Sequence, residues 1–364
     1  MKKILILCNS DIGLYKFRKE LLEELLNEYV VYVSLPNGTF INQLRELGCF
    51  YIETTMARRG KNPLNDFKLF LTYIRMLKSV KPDIVLTYTI KPNVYGGLAC
   101  RTLRIPYLSN ITGLGTAFDN KGLLKKLSTS LYKSALKRVN KVYFQNKDDM
   151  NYFLESGISE KQRYRSLPGS GVNLNYYRLL DYPDDGIIRF FFISRVMQQK
   201  GIEQFLDVSR YMKRKYVNTE FHVLGFCEED YEENLRQMES EGIIHYHGMQ
   251  NDVTPFHLIS HCTIHPSYYP EGMSNVLLES AACGRPIITT NKTGCKEIVD
   301  DGINGYICAQ KNSDDLIEKV EKFYHLEHST KKKMGILGRK KVELEFDRKR
   351  VVDSYLEDIK SILG

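Results

Sequence analysis

The 364-residue chain contains no tryptophan, and no apolar run in it approaches the roughly 18 residues that a bilayer-spanning helix requires. Its opening, Met1-Lys2-Lys3 followed by Ile4-Leu5-Ile6-Leu7-Cys8, imitates a secretory signal. The apolar stretch is too short, however, and it runs into Asn9-Ser10-Asp11 rather than into small residues at a cleavage site. It reads better as a buried first β-strand. The eight cysteines form no C-x-x-C pair and no cysteine–histidine grouping at zinc spacing. That pattern points to reduced thiols in a cytoplasmic protein, not to disulfides or a structural zinc. No Asp-x-Asp metal motif is present. Low-complexity tracts and repeats at solenoid spacing are absent. So are recognition-helix, zinc-finger and RNP-type motifs, which leaves no support for nucleic acid as a partner.

What is there is the composition of a soluble globular protein, 43% apolar and 26% charged, and long enough for two domains with separate cores. The net charge of +8 is unevenly placed. Residues 1–180 carry 28 Lys and Arg against 14 Asp and Glu, whereas residues 181–364 carry 24 against 30. A basic first half suggests contact with a polyanion or an anionic membrane surface.

The first half alternates β-rich runs with helical stretches. Residues 4–8, 30–34, 84–88, 107–111 and 142–144 read as strands, and residues 15–27, 67–80 and 123–139 as helices. Near-continuous apolar strands separated by helices imply a parallel sheet covered on both faces. Turn formers break the pattern around residues 167–173 and again around 181–186, which places the inter-domain connection there. The alternation then restarts. Residues 189–194, 220–224, 243–247, 262–265 and 286–290 are strand candidates, and residues 202–216 form a helix. The fold class is therefore α/β, with two doubly wound Rossmann-like domains. Ligands of such sheets bind outside the carboxyl ends of the strands.

Three clusters in the second half fall at those ends. In the first, Arg195 and Lys200 lie where a strand gives way to a helix. They are placed to converge on a diphosphate, with Gly201 letting the chain turn closely, although two cations in a solvated loop would look the same. In the second, Glu271 and Gly272 precede Met273, Ser274, Asn275 and Val276, and Glu279 follows. Gly272 permits a tight turn, and Ser274 or Asn275 can cap a helix whose N-terminal amides and dipole suit phosphate oxygens. Two helical turns separate the glutamates by about 10 Å. At that distance they would touch different parts of one elongated ligand and would not act as a paired acid and base. The third cluster, residues 293–305, looks like a loop, a short helix and a glycine-rich turn.

Taken in order, Arg195-x4-Lys200-Gly201, Glu271-x7-Glu279, the run from Ala282 to Ile288, Gly294-Cys295-x-Glu297 and Asp301-Gly302-x-Asn304-Gly305 resemble glycosyltransferase family 4, retaining enzymes of the GT-B fold. The stretches from Asn9 to Leu14, from Lys91 to Ala99 and from Thr112 to Gly115 resemble the subgroup that builds capsules, O-antigens and bacterial N-glycans on a lipid carrier. The resemblance implies two Rossmann-like domains facing across a cleft. Residues 1–180 would bind the acceptor and residues 181–345 a nucleoside-diphosphate sugar, most often a UDP-sugar, with a last helix within 346–364 packing back on the first domain. It further implies that Arg195 and Lys200 neutralise the donor diphosphate. Backbone amides from Met273 to Val276 would hold phosphate and sugar, Glu271 the sugar hydroxyls and Glu279 the ribose. No metal and no cofactor are required on this reading.

Gly13 is expected in a loop after the first strand, near the donor phosphates. Lys91, Asn93, Thr112 and Gly113 are expected on the acceptor side. Many family members carry a histidine before the glycine where this chain has Thr112-Gly113, so no histidine base is carried over. Gly113-Leu114-Gly115 is no dinucleotide fingerprint, because the third glycine is missing. The basic amphipathic stretch 122–139, with Leu124, Leu127, Leu131 and Ala135 on one face, fits an anionic bilayer surface or an ordinary core helix. Arg58-Arg59-Gly60-Lys61 would meet the same surface or a lipid diphosphate. A location in the cytoplasm, peripheral to the inner membrane face, follows. The competing readings are a nucleotide-sugar 2-epimerase of the same fold and a catalytically silent binding subunit.

Overall fold

A computed structural model describes residues 1–56, 62–115 and 122–364. The basic segment Arg58-Arg59-Gly60-Lys61 lies outside the described residues. The chain forms two compact units, one of Met1–Gly171 with Arg348–Gly364 and the other of Val172–Asp347.

In the first unit seven parallel strands lie in the order β3-β2-β1-β4-β5-β6-β7: β1 (Lys3–Leu7), β2 (Val30–Leu35), β3 (Phe50–Glu53), β4 (Ile84–Tyr88), β5 (Tyr107–Ile111), β6 (Lys141–Phe144) and β7 (Tyr164–Ser166). The strand β1 shows why the sheet is covered twice. Its residues alternate sides. Ile4 and Ile6 enter a core with the helices Asp11–Glu28 and Arg348–Leu363, while Leu5 and Leu7 enter a second core with Pro63–Val80. The helix Arg348–Leu363 is tied down by polar contacts as well. Tyr143 donates to Asp358 at 2.7 Å, and Arg348 reaches Glu20 at 2.9 Å.

The second unit repeats the plan with six parallel strands in the order β10-β9-β8-β11-β12-β13: β8 (Ile188–Ile193), β9 (Thr219–Leu224), β10 (His245–Tyr246), β11 (Cys262–His265), β12 (Ile287–Thr290) and β13 (Gly305–Cys308). In β8, Phe190 and Phe192 fill the larger core and Phe191 the opposite face. Each buried phenylalanine contributes about 1.5–3 kcal/mol. The order reverses between β8 and β11, which opens a crevice at their carboxyl ends.

Several expectations need correction. The chain leaves the first unit at Gly171, not at 180. Leu174 and Tyr177 already pack against Leu277 and Leu278, and the buried Arg285 donates to the Asp181 carbonyl at 2.7 Å. Gly13 is in a helix, not a loop. Ser10 caps the helix Asp11–Glu28 by accepting from the Gly13 amide at 3.2 Å, so helical structure begins four residues before the apolar pattern suggested. The basic helix ends at Ala135, not at 139, and on its apolar face Ala135 is buried while Leu127 is 56% exposed. Residues 293–304 form successive turns without a regular helix. The expected strand 243–247 shortens to His245–Tyr246.

Candidate active site

Lys200 ends a short turn, Gln198–Lys200, that follows β8. The next residue, Gly201, has φ +80°, and a Cβ there would stand 2.3 Å from the Pro266 carbonyl oxygen. Only glycine lets the β8 loop press against the loop leaving β11. That contact is sealed by the Tyr268 amide, which donates to the Gln199 carbonyl at 2.9 Å. The same loop carries Glu271 to Lys200, whose ammonium donates to Glu271 Oε1.

Glu271 Oε1 also accepts from Ser267 Oγ at 3.2 Å and faces His265 Nε2 at 3.4 Å. Burial alone pushes this carboxyl up, but the Lys200 charge and the His265 contact outweigh it and hold the group well below the usual carboxylate range. Burial likewise pushes His265 down, so the imidazole is neutral and its Nε2–H is the fitting donor to the carboxylate. The loop is braced from β12, where the Thr289 hydroxyl donates to the His265 carbonyl at 2.7 Å. Glu271 is thus a fixed, ionised acceptor.

Arg195 reaches the same place by another route. Its guanidinium pairs with Glu228 and lies 5.2 Å from the centre of the Tyr269 ring, while Lys200 lies 5.0 Å from that ring. One aromatic ring gathers both cations.

The helix Asn275–Ala282 begins beside this group. Ser274 occupies its cap position but makes no side-chain cap bond, and its hydroxyl faces His265 Nε2 at 3.4 Å instead. The Ser274 hydroxyl therefore leaves the amides of the first turn uncapped. The turn is held from behind by Gly294, whose carbonyl accepts from the Ser274 amide at 2.7 Å. Gly294 has φ +89°, and a Cβ would come 2.9 Å from the Glu271 carbonyl oxygen. Gly272 is buried, Met273 and Val276 place their side chains in the core, and half-buried Glu279 lies one turn further along. The structure brings Arg195, Lys200, Glu271 and the start of this helix together. The arrangement offers two cations, a helix N-terminus without a side-chain cap from Ser274 and a locked carboxylate, which suits an anionic ligand bearing hydroxyls.

Ser267, Tyr269 and Glu228 are not singled out from sequence, and His265, at the end of a strand, reads there as a structural histidine. Tyr269 and Ser267 flank Glu271 closely enough that the run Ser267-Tyr268-Tyr269-Pro270-Glu271 was a usable signal. Glu228 was not, because only the β8–β9 pairing brings it near Arg195. His265, Glu271 and Cys295 hold ligand atoms within 4.8 Å of one another. They suit a metal poorly, because Lys200 occupies the carboxylate and burial pushes the Cys295 thiol up.

In the first unit, Lys91 pairs with Asp66 at 2.7 Å, and Tyr95 donates to the same carboxylate at 2.9 Å. Asn93 is buried and ties β4 to β5, accepting from Thr87 Oγ1 at 2.7 Å and donating to the Asn110 carbonyl at 2.8 Å. Thr112 and Gly113 directly follow β5 and are half-buried. All cysteines are free. No helix among the described residues is long and apolar enough to cross a membrane.

Two parallel-sheet Rossmann-like units with this site are the architecture of GT-B proteins. An Anabaena protein, HepE, whose crystal structure holds UDP and glucose, matches with a TM-score of 0.81 at 17% identity, covering 99% of this chain and 100% of its own. Residues 183–341 match the model for glycosyl transferases group 1, and residues 3–146 that for glycosyl transferase 4-like domains. The chain belongs to these glycosyltransferases. Its relatives include the N,N'-diacetylbacillosaminyl-diphospho-undecaprenol alpha-1,3-N-acetylgalactosaminyltransferase of Campylobacter jejuni, 25% identical over 87% of this chain and 88% of that one. Another is the capsular polysaccharide biosynthesis glycosyltransferase CapM of Staphylococcus aureus, 24% identical over 78% of this chain and 77% of its own.

Proposed function

We propose that this enzyme transfers a sugar with retention from a nucleoside diphosphate, UDP-hexose or UDP-N-acetylhexosamine, to a lipid-linked saccharide in the synthesis of a bacterial surface polysaccharide or glycan. The observation that carries this reading is the convergence of Arg195 and Lys200 on Tyr269, beside Glu271 and an uncapped helix start. Arg195 and Lys200 neutralise the diphosphate as its bond to the sugar breaks, and amides from Met273 to Val276 hold phosphate oxygens. Glu271 accepts from sugar hydroxyls, and Glu279 from the ribose. The cations and helix dipole take the place of a metal, so neither metal nor cofactor is needed. The name of the C. jejuni relative supports the acceptor class, and that of the S. aureus relative supports the synthesis of a surface polysaccharide.

In the transfer step the acceptor oxygen bonds to the anomeric carbon as the bond to the diphosphate oxygen breaks on the same face. The acceptor proton passes to that leaving oxygen, and Thr112 supplies no base. Thr112→Ala then keeps activity within about tenfold. A loss of several orders of magnitude that an added base rescues would overturn this route.

The reaction takes place in the cytoplasm, with the enzyme peripheral to the inner membrane face. Lys125, Lys126 and Lys133, with exposed Leu127 between them, favour an anionic surface. Salt-sensitive binding to vesicles rich in anionic lipid checks this, and binding indifferent to lipid charge contradicts it. The function itself is tested by incubating the protein, with chelator present, with labelled nucleotide sugars and a lipid-diphosphate saccharide. Transfer with an unchanged anomeric configuration is expected. Donor scrambling without acceptor would indicate the epimerase, and failure with every donor a silent binding subunit.

A further inference from the structure

Three of the chain's eight histidines gather at one edge of the second sheet. Register sets Phe191 of β8 beside His222 of β9, and His222 beside His245 of β10. Their rings stack in a row, with centroids 4.4 Å apart for Phe191 and His222 and 4.8 Å for His222 and His245. Glu220 lies two residues before His222 and so on the same face. Its Oε2 is 3.4 Å from His222 Nε2. Glu220, His222 and His245 each present a ligand atom, all within 4.8 Å of one another.

We propose that Glu220, His222 and His245 form a binding site for a divalent transition metal of the zinc type, separate from the donor site. Imidazole and carboxylate ligands suit such an ion. Tetrahedral zinc, with bonds of about 2.0–2.2 Å, sets its ligands roughly 3.4 Å apart. The present spacing, within 4.8 Å, exceeds this by at most about 1.4 Å, and the exposed side chain of His245 can close it by rotation. His222 is already oriented, because its Nδ1 lies 3.0 Å from His247 Nε2. A metal-binding histidine commonly has such an outer partner on its second nitrogen. Arg189 Nε donates to the same Glu220 Oε2 at 2.8 Å, which holds the carboxylate beside His222 and takes up one of its roughly four lone-pair sites, leaving the others for the ion. Water completes the coordination.

The ion has a mechanical task. The edge strand β10 is two residues long, and its register with β9 sets His245 beside His222 and Tyr246 beside Val223. A metal across this pair fastens the strand to the sheet without using any residue of the Lys200–Glu271 group.

The test is calorimetric titration of the chelator-treated full chain with zinc chloride, alongside thermal denaturation. Saturable uptake of about one zinc per chain and a raised melting temperature are expected. His245→Ala, at an exposed position, should keep the far-UV dichroism and weaken uptake by at least about tenfold. Cys295→Ala, in the other candidate cluster, should leave uptake unchanged. Absence of saturable uptake, undiminished uptake by His245→Ala, or loss of uptake in Cys295→Ala would each overturn the proposal.

Discussion

Replacing Lys200 with methionine keeps the length of the side chain and removes the charge that Glu271 faces. The two side chains are only 8% and 14% exposed, so the change strands a nearly buried carboxylate. Removing one member of a buried pair costs about 3–5 kcal/mol. Glu271 keeps Ser267 at 3.2 Å and His265 at 3.4 Å, which places the expected loss near the lower end, about 3 kcal/mol. The pH dependence gives the loss a signature. With Lys200 present the folded pKa of Glu271 is depressed, so its stabilising effect is complete at neutral pH and fades only as pH falls below the ordinary carboxylate value. Without Lys200, burial dominates and lifts the folded pKa above the unfolded value. The variant then loses further stability as pH rises from about 4 to 7. Urea unfolding, followed by far-UV dichroism because the chain has no tryptophan fluorescence, measures both effects. In a double-mutant cycle with Glu271→Gln the coupling should be about 2 kcal/mol. A coupling below about 0.5 kcal/mol, or a gap that does not change with pH, would mean that Lys200 does not hold the buried Glu271 carboxylate ionised.

Three further outcomes are expected. Arg195→Ala should lower kcat/KM for the donor by about 10²–10³-fold in steady-state assays, since it removes a donor to the leaving group; an unchanged value contradicts its role. Gly201→Ala forces a left-handed alanine against the Pro266 carbonyl, 2.3 Å from its Cβ, and should cost at least about 1–2 kcal/mol, seen as a lower melting temperature. His257 is fully buried without a hydrogen-bond partner on either ring nitrogen, and burial pushes its pKa down to about 3. Below about pH 6.5 the unfolded chain takes up a proton that the folded chain refuses, so stability falls by about 2 kcal/mol between pH 7 and pH 5. His257→Phe should remove that part of the acid sensitivity, and equal slopes in both proteins would count against it.

The central strands were legible because they are apolar on both faces; Lys3–Leu7 and Ile188–Ile193 needed no tertiary information. The edges were not. Phe50–Glu53 and Tyr164–Ser166 are strands through pairing on one side only, and Phe50 is 56% exposed, so no apolar run marks them. Gly305–Cys308 was hidden by the glycines before it, which read only as a turn. At the site, Arg195, Lys200 and Glu271 were legible as charged residues at strand ends. The partners that set their chemistry come from other strands or loops. His265 looked like a structural histidine, and its contact with Glu271 arises only when the loop folds back over six residues. Ser274 was read as a cap from its residue type, but the nearby imidazole draws its hydroxyl away from the helix.

On the proposed function, Arg195 and Lys200 receive a diphosphate. Calorimetric titration of the full chain with UDP and with UMP, repeated on Arg195→Ala and Lys200→Met, tests it most directly. UDP should bind at least about tenfold more tightly than UMP, and that advantage should largely disappear in both variants. Equal affinity for the two nucleotides, or a UDP advantage that survives both substitutions, would contradict it.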